Sequence, residues 1–334
     1  MLRQHFETFS SYVPLDLLDP GNFLVASCLL FFIILFRYFL LVGAFWLPFY
    51  CWPSAAAKKK RIYPALPSRQ AQLTEIKWSA VNGVIFAFAG VAIGLFWQMG
   101  WSRLYLQFNE YGWAYLPISL VIFSFAHEIY FYATHRWLHR PAVFRRFHKV
   151  HHNSLQPSPW ASFSFHPAEG LIQAAAVPLL LFFIPMHPVM VLLYLTLITV
   201  SAIINHLGYE ILPRNRRGLW LGRHFVSGLH HARHHQVYRY NYCLFYPVVD
   251  KIFGTEEPGF ENRLAAAETV AMQGFQQWLL QRQTQLLEVG GVLGFRINAD
   301  LAAGCACHGS HQPQHIRQGR NRELTIEAAI AGPS

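Results

Sequence analysis

Fourteen of the chain's 18 histidines fall between His127 and His235, and eight of those form three short clusters. They read His135-x-x-x-His139, His148-x-x-His151-His152 and His231-x-x-His234-His235. On an α-helix, residues three or four apart share one face, with Cβ atoms ~5–6 Å apart. Imidazoles so spaced can converge on one ion, or on two neighbouring ions, at roughly 2.0–2.2 Å. Eight are too many for one ion, since tetrahedral zinc takes four. They suit two ions with four or five ligands each. Burying that many imidazoles without partners would cost several kcal/mol, so the pattern points to a two-metal centre.

Imidazole suits zinc, copper, iron and nickel. A hydrolytic zinc site of the HExxH type fails here, because Phe131 stands in the fifth position after His127-Glu128. A shell of neutral imidazoles leaves two divalent ions with most of their charge, which favours binding of dioxygen or hydroxide. Iron does such chemistry on unactivated C–H bonds. The chain shows no dinucleotide fingerprint, iron–sulfur cysteine set or CxxCH haem motif. Electrons are therefore expected from an external NAD(P)H-linked donor.

The elements that position these residues are mostly apolar. Hydrophobic residues make up 53% of the 334 and charged residues 13%, about half the share usual in soluble domains. Apolar runs at residues 22–50, 78–101, 113 to about 126, 167–185 and 188–205 are long enough, or nearly so, to cross a ~30 Å hydrocarbon core. The third run continues into the first histidine cluster. Arg37 interrupts the first and is expected to face the bundle. The pair 167–205 reads as a hairpin, either spanning or re-entrant. No basic stretch with a cleavage site precedes the first run, so it is expected to remain as an anchor.

Lysine and arginine concentrate in 51–77, 135–166 and the region after 206. These share one face by the count of crossings, and the positive-inside rule makes that face cytoplasmic. The net charge of +10 thus reads as membrane topology. No nucleic-acid-binding motif accompanies it. The five cysteines form no disulfide framework.

The expected architecture is an all-α integral membrane protein. Four to five transmembrane or re-entrant helices carry a cytoplasmic, helical, histidine-rich di-metal cap. Residues 1–21 form an N-terminal segment, 22–260 the membrane-embedded domain, 261–289 an amphipathic helix and 290–334 a disordered tail. The tail's Cys305-Ala306-Cys307-His308 lacks a second ligand pair and is read as incidental.

The strings HRWLH (His135 to His139), HKVHH (His148 to His152) and SPWASFSFHPAE (Ser158 to Glu169) resemble the fatty acid hydroxylase/sterol desaturase superfamily, and most nearly its sterol C-5 desaturase branch. So do Asn205 to Glu210, HARHH (His231 to His235), Asn241-Tyr242 and Asp250 to Thr255. The resemblance covers about residues 30–260. It implies that His135, His139, His148, His151, His152, His231, His234 and His235 ligate two iron ions, with His206 as a ninth ligand. Related hydroxylases carry a histidine where this chain has Glu210, which is therefore a candidate ligand or an acceptor orienting an imidazole. His127, His166 and His230 are candidates of lower rank. Cys243 replaces a glycine frequent in the family and puts the local turn in doubt.

The resemblance further implies dioxygen-dependent desaturation of a sterol or sterol-like lipid, with hydroxylation of a lipid or fatty acid as the alternative. A cytochrome b5-like or ferredoxin partner would supply electrons, docking on the basic face around Arg136 to Lys149. The membrane is the plasma membrane in a bacterium, or the endoplasmic reticulum in a eukaryote. A histidine-rich metal transporter is the rival from another class. Transporters place ionisable ligands near the bilayer midplane, however, and residues 78–101 carry none.

Overall fold

A computed structural model describes residues 15–213, 215–260 and 262. Most of the N-terminal segment 1–21, nearly all of the amphipathic stretch 261–289 and the tail 290–334 with Cys305 to His308 lie outside the described residues.

The first apolar run folds as α1, Pro20–Trp46, continued by a π-helical turn at Leu47–Cys51. The Asp19 carboxylate starts it by accepting from the Asn22 amide, with Pro20 in the first turn. The second run becomes α2, Arg69–Gln98, which begins nine residues before the expected Trp78. The Ser68 hydroxyl accepts from the Ala71 amide and so caps the helix ahead of its apolar part. Helix α3, Tyr115–Leu138, carries the third run straight into the first histidine cluster. Then come α4, Pro167–Leu181, α5, Pro188–Asn205, α6, Arg216–His224, α7, Gly228–Val237, and α8, Val248–Ile252. Among the described residues, the β-structure amounts to two isolated bridges.

The segments Pro20–Cys51, Arg69–Gln98, Tyr115–Leu138 and Pro188–Asn205 are long and apolar enough to cross a bilayer. Their outward faces are apolar and exposed, as at Phe32, Phe36, Ile129 and Leu192. The protein is an all-α integral membrane protein. Arg37 turns inward, where its guanidinium donates to Thr199 Oγ1 on α5 at 3.0 Å.

Helix α4 has 15 residues, roughly 22 Å at 1.5 Å per residue, and is too short to span alone. Its start is set partway along α2. Asn82 Nδ2 donates to Phe165 O at 2.7 Å, and a Cβ on Gly170 would meet Asn82 Oδ1 at 1.7 Å. The tip of the α4–α5 hairpin reaches the α2–α3 connection. Arg103 N donates to Leu181 O at 2.7 Å and Met186 N to Arg103 O at 3.2 Å. The hairpin therefore extends to the end of the bundle opposite the histidine clusters.

The irregular stretch before α4 fills the remaining space beside α2. The Ser158 hydroxyl donates to Glu75. Trp160 O accepts from Tyr38 OH at 2.7 Å and Ser79 Oγ at 2.9 Å. These buried bonds fix the chain that leads out of the second histidine cluster.

Candidate metal centre

Four parts of the fold bring the imidazoles together. The last turn of α3 and its C-cap supply His135 and His139. A short helical hook built from Pro141–Val143, Phe144–His148 and Lys149–His152 supplies three more. Its middle piece is π-helical, which turns the register so that His148, His151 and His152 are all buried. Helix α7 carries His231, His234 and His235 and starts on a capping box made by Ser227 and His230. His206 caps the C-terminus of α5.

The rings fall into two groups. His135, His139, His148, His152 and His234 form one, and His151, His206, His231 and His235 the other, each with ligand nitrogens within 4.8 Å of one another. All nine candidates derived from the clusters and from His206 are thereby placed. Within the groups, Nε2 faces Nε2: His148–His139 at 3.0 Å and His234–His152 at 3.2 Å in the first, His231–His206 at 3.0 Å and His235–His231 at 3.1 Å in the second.

The fit to metal follows from where the protons sit. A carbonyl oxygen only accepts, so a ring Nδ1 bonded to one carries the hydrogen. This holds for His135 against Tyr242 O, His234 against Tyr240 O, and His206 against Ala202 O, each at 2.7 Å, and for His151 against Ser164 O at 3.2 Å. In the neutral ring each Nε2 then offers a bare lone pair. His151 and His206 point theirs at one another at 3.4 Å. Two lone pairs so placed repel unless a cation lies between them. Burial, reinforced by the neighbouring rings, drives the pKa values of His139, His148, His151, His152, His231, His234 and His235 well down. Burial alone lowers that of His206 to about 4. Such rings are neutral at pH 7, the form that ligates metals. The donor set fits two metal ions.

The remaining candidates stand apart from the two groups. The Glu210 carboxylate accepts from the Leu212 and Leu229 amides at 2.8 and 3.1 Å and so pins the start of α7. His127 Nδ1 lies 2.6 Å from Tyr194 OH inside the bundle. His166 caps α4 by accepting from the Ala168 amide. His230 serves the capping box and stacks on Phe260 with centroids 3.5 Å apart.

Three carboxylates that the histidine pattern does not reveal support the centre. Glu128 accepts from the amides of Leu244, Phe245 and Tyr246 at 2.9, 2.6 and 3.0 Å. Asp250 accepts from Tyr242 N and Cys243 N at 3.0 and 2.9 Å. Together they fix the loop whose Tyr242 carbonyl orients His135. The third, Glu169 Oε1, lies 2.8 Å from His148 Nδ1, though not in line for a hydrogen bond. A signal for Glu128 was present, in that an acid inside an apolar run must be paired. Its partners, backbone amides more than a hundred residues away, have no sequence signature. The doubt over Cys243 resolves in the same loop. The residue with positive φ is Asn241, at 60°, so the turn does not need glycine at 243.

Residues 120–255 match the family model for fatty acid hydroxylases, a segment that contains every member of both imidazole groups. The chain is 31% identical over 156 residues to a Delta(7)-sterol 5(6)-desaturase of Gibberella zeae, covering 47% of each chain. It is 34% identical over 168 residues to the lathosterol oxidase of Mus musculus, covering 49% of this chain and 54% of the relative. With that of Homo sapiens it shares 32% over 184 residues, or 54% and 60%. The chain thus spans about half the length of the curated relatives it matches. No solved structure matches. The chain resembles the fatty acid hydroxylase/sterol desaturase superfamily and, within it, the sterol C-5 desaturases.

Proposed function

We propose that this protein is a di-iron, dioxygen-dependent oxidoreductase that desaturates a sterol or sterol-like lipid at the cytoplasmic face of its membrane. The observation that carries this reading is the pair of buried imidazole groups with their Nε2 lone pairs turned inward. The five-ring group and His151, His206, His231 and His235 would each hold one ion. Iron bound there supplies the reduction of dioxygen and the removal of hydrogen from an unactivated C–H bond.

The residues of the chain supply position and dryness. Loop carbonyls at Tyr240, Tyr242 and Ser164 hold three rings in the tautomer that ligates through Nε2. Phe131 packs on His135 and Phe165 on His151, with centroids 5.1 and 5.0 Å apart. These apolar walls suit a hydrocarbon substrate and exclude water. Removing two hydrogens from the lipid while reducing dioxygen to two waters consumes two further electrons and two protons. A cytochrome b5-like or ferredoxin carrier would bring the electrons, and exposed Arg136, Arg140, Arg145, Arg146 and Lys149 offer it a cationic face.

The names of the sterol-desaturating relatives favour a double bond as product, and the family name favours a hydroxyl. Two measurements decide. Protein purified without oxygen should hold two irons per chain, and zinc alone overturns the oxidative reading. A host fed Δ7-sterols should gain the corresponding dienes only when the gene is present. A hydroxylated lipid with unchanged sterols establishes the alternative.

A further inference from the structure

The loop that orients His135 occupies an unexpected depth. By the count of crossings, everything after residue 206 lies in the cytoplasm. Yet the segment 241–255 packs along the side of α3 instead of beyond its end. The Tyr132 hydroxyl lies 3.0 Å from Thr255 Oγ1, Glu128 binds the amides of residues 244–246, and Ser124 Oγ lies 3.0 Å from Tyr246 OH. Ser124 is 14 residues before the end of α3 at Leu138, roughly 21 Å along the helix. That is the middle of a spanning segment.

Non-helical backbone at that depth survives only if its polar groups are satisfied by protein, and here they are. Amides 242 and 243 go to Asp250, and amides 244, 245 and 246 to Glu128. Leu244 O accepts from Asn205 Nδ2 at 3.1 Å, and Phe245 O from Val226 N at 2.7 Å. Two buried carboxylates spent on five amides suit a dry setting, where water cannot take their place.

The outer surface of the segment is mostly apolar and continues the lipid face of α3, its exposed Lys251 reaching to Arg223 O at 2.8 Å and to Glu256 at 3.6 Å. Tyr246 stacks on Phe125 with centroids 4.6 Å apart, and Phe253 on Tyr132 at 5.2 Å. Phe225 adjoins Tyr246 at 5.8 Å. Ile252 and Phe253 are 72% and 57% exposed, much like Ile129 of α3 at 62%. Nearby, α6 buries Gly218 and Gly222 and turns Trp220 outward between exposed Arg216, Arg217 and Arg223. That is the arrangement of a helix lying in a headgroup layer.

We infer that residues 241–253 form a re-entrant loop in the cytoplasmic leaflet, with Phe225, Val248, Ile252 and Phe253 in contact with acyl chains and α6 resting among the headgroups. The inference rests on the membrane reading of α3 and is independent of the chemistry at the metal centre. The loop would then bring hydrocarbon up to Phe253, whose ring stacks on Tyr132, itself beside the Tyr242 whose carbonyl orients His135.

The test uses the full-length chain in nanodiscs of phosphatidylcholine and phosphatidylglycerol. Cys28, Cys51, Cys305 and Cys307 are changed to serine, and single cysteines are introduced by I252C, I129C and R145C. A charged maleimide should label I252C roughly 10-fold more slowly than R145C, because its site excludes water, and at a rate like that of I129C. A bimane label on I252C should be quenched by lipids carrying a nitroxide on the acyl chain. Labelling of I252C as fast as R145C overturns the inference. So does slow labelling without quenching, which would mean that protein covers the loop. Fast labelling of I129C would instead overturn the membrane placement of α3, so the two failures are distinguishable.

Discussion

The two imidazole groups are built to the same chemical plan and held by different means. In the five-ring group, His135 and His234 are oriented by carbonyls of the 240–242 loop, and His148 lies beside Glu169. In the four-ring group, His206 is oriented by its own helix through Ala202 O and His151 by Ser164 O. His231 and His235 leave Nδ1 buried with no hydrogen-bond partner, as do His148 and His152 in the first group. The first group has a surplus ring but depends on a distant loop. The second has no ring to spare but is anchored locally, at the junction of α5, α7 and the hook. Redundancy and scaffolding are thus distributed in opposite senses.

Ligand removal should expose that asymmetry most strongly. His206→Ala leaves three rings in its group, so the chain should bind about one iron instead of two and lose turnover. His139→Ala removes the least buried member of the other group and leaves four rings. It should keep both irons, with affinity weakened roughly 10–100-fold. Metal analysis of the two purified variants decides. Equal iron loss would mean that the nine rings act as one cluster.

The next effect comes from the loop. Glu128→Ala strands one buried and two part-buried amides, each costing about 1–3 kcal/mol when dry, so the loss of stability should reach about 3 kcal/mol. Thermal unfolding in detergent measures it. Because the same loop orients His135 and His234 and touches neither His151 nor His206, iron should leave the five-ring group first. Glu128→Gln, which keeps one acceptor, should fall between. Glu169→Gln should be milder still. It should lower affinity at the five-ring site alone, up to about 10-fold, as expected for a carboxylate beside a ligand. Competition with a chelator reads this directly.

Much of this centre was legible in the sequence, for a physical reason. Metal ligands on a helix must recur at three or four residues, and that spacing survives in the chain as HxxxH and HxxHH. Apolar runs of spanning length are equally visible, because the bilayer sets their length. His206 had no such spacing and entered only through resemblance. The supporting carboxylates did not announce themselves, since Glu128 and Asp250 bind backbone amides, and any residue type offers those. The division of the rings into two groups was also hidden. Lys149–His152 is a single α-helical turn with His148 at its N-cap, and His148 and His152, four residues apart, go to one group while His151 goes to the other. The depth of the 241–253 loop was invisible for a related reason: its polarity is satisfied internally, so its composition reads as an ordinary cytoplasmic connection.

Glu210 gives the smallest effect and the sharpest check on the ligand set, because the family resemblance implies a histidine at its position. Its two oxygens accept from Leu212 N and Leu229 N, and it belongs to neither imidazole group. Helix α7, which it pins, serves both groups through His231, His234 and His235. Glu210→Gln keeps a carbonyl for one amide and turns an NH2 toward the other, so it should cost roughly 1–2 kcal/mol. Loosening a shared helix should weaken both irons alike and leave their ratio at one to one. Thermal unfolding together with a metal titration reads both quantities. A selective loss from the four-ring site, with unfolding unchanged, would make Glu210 a ligand in the metal-loaded protein and turn that all-imidazole shell into a mixed one.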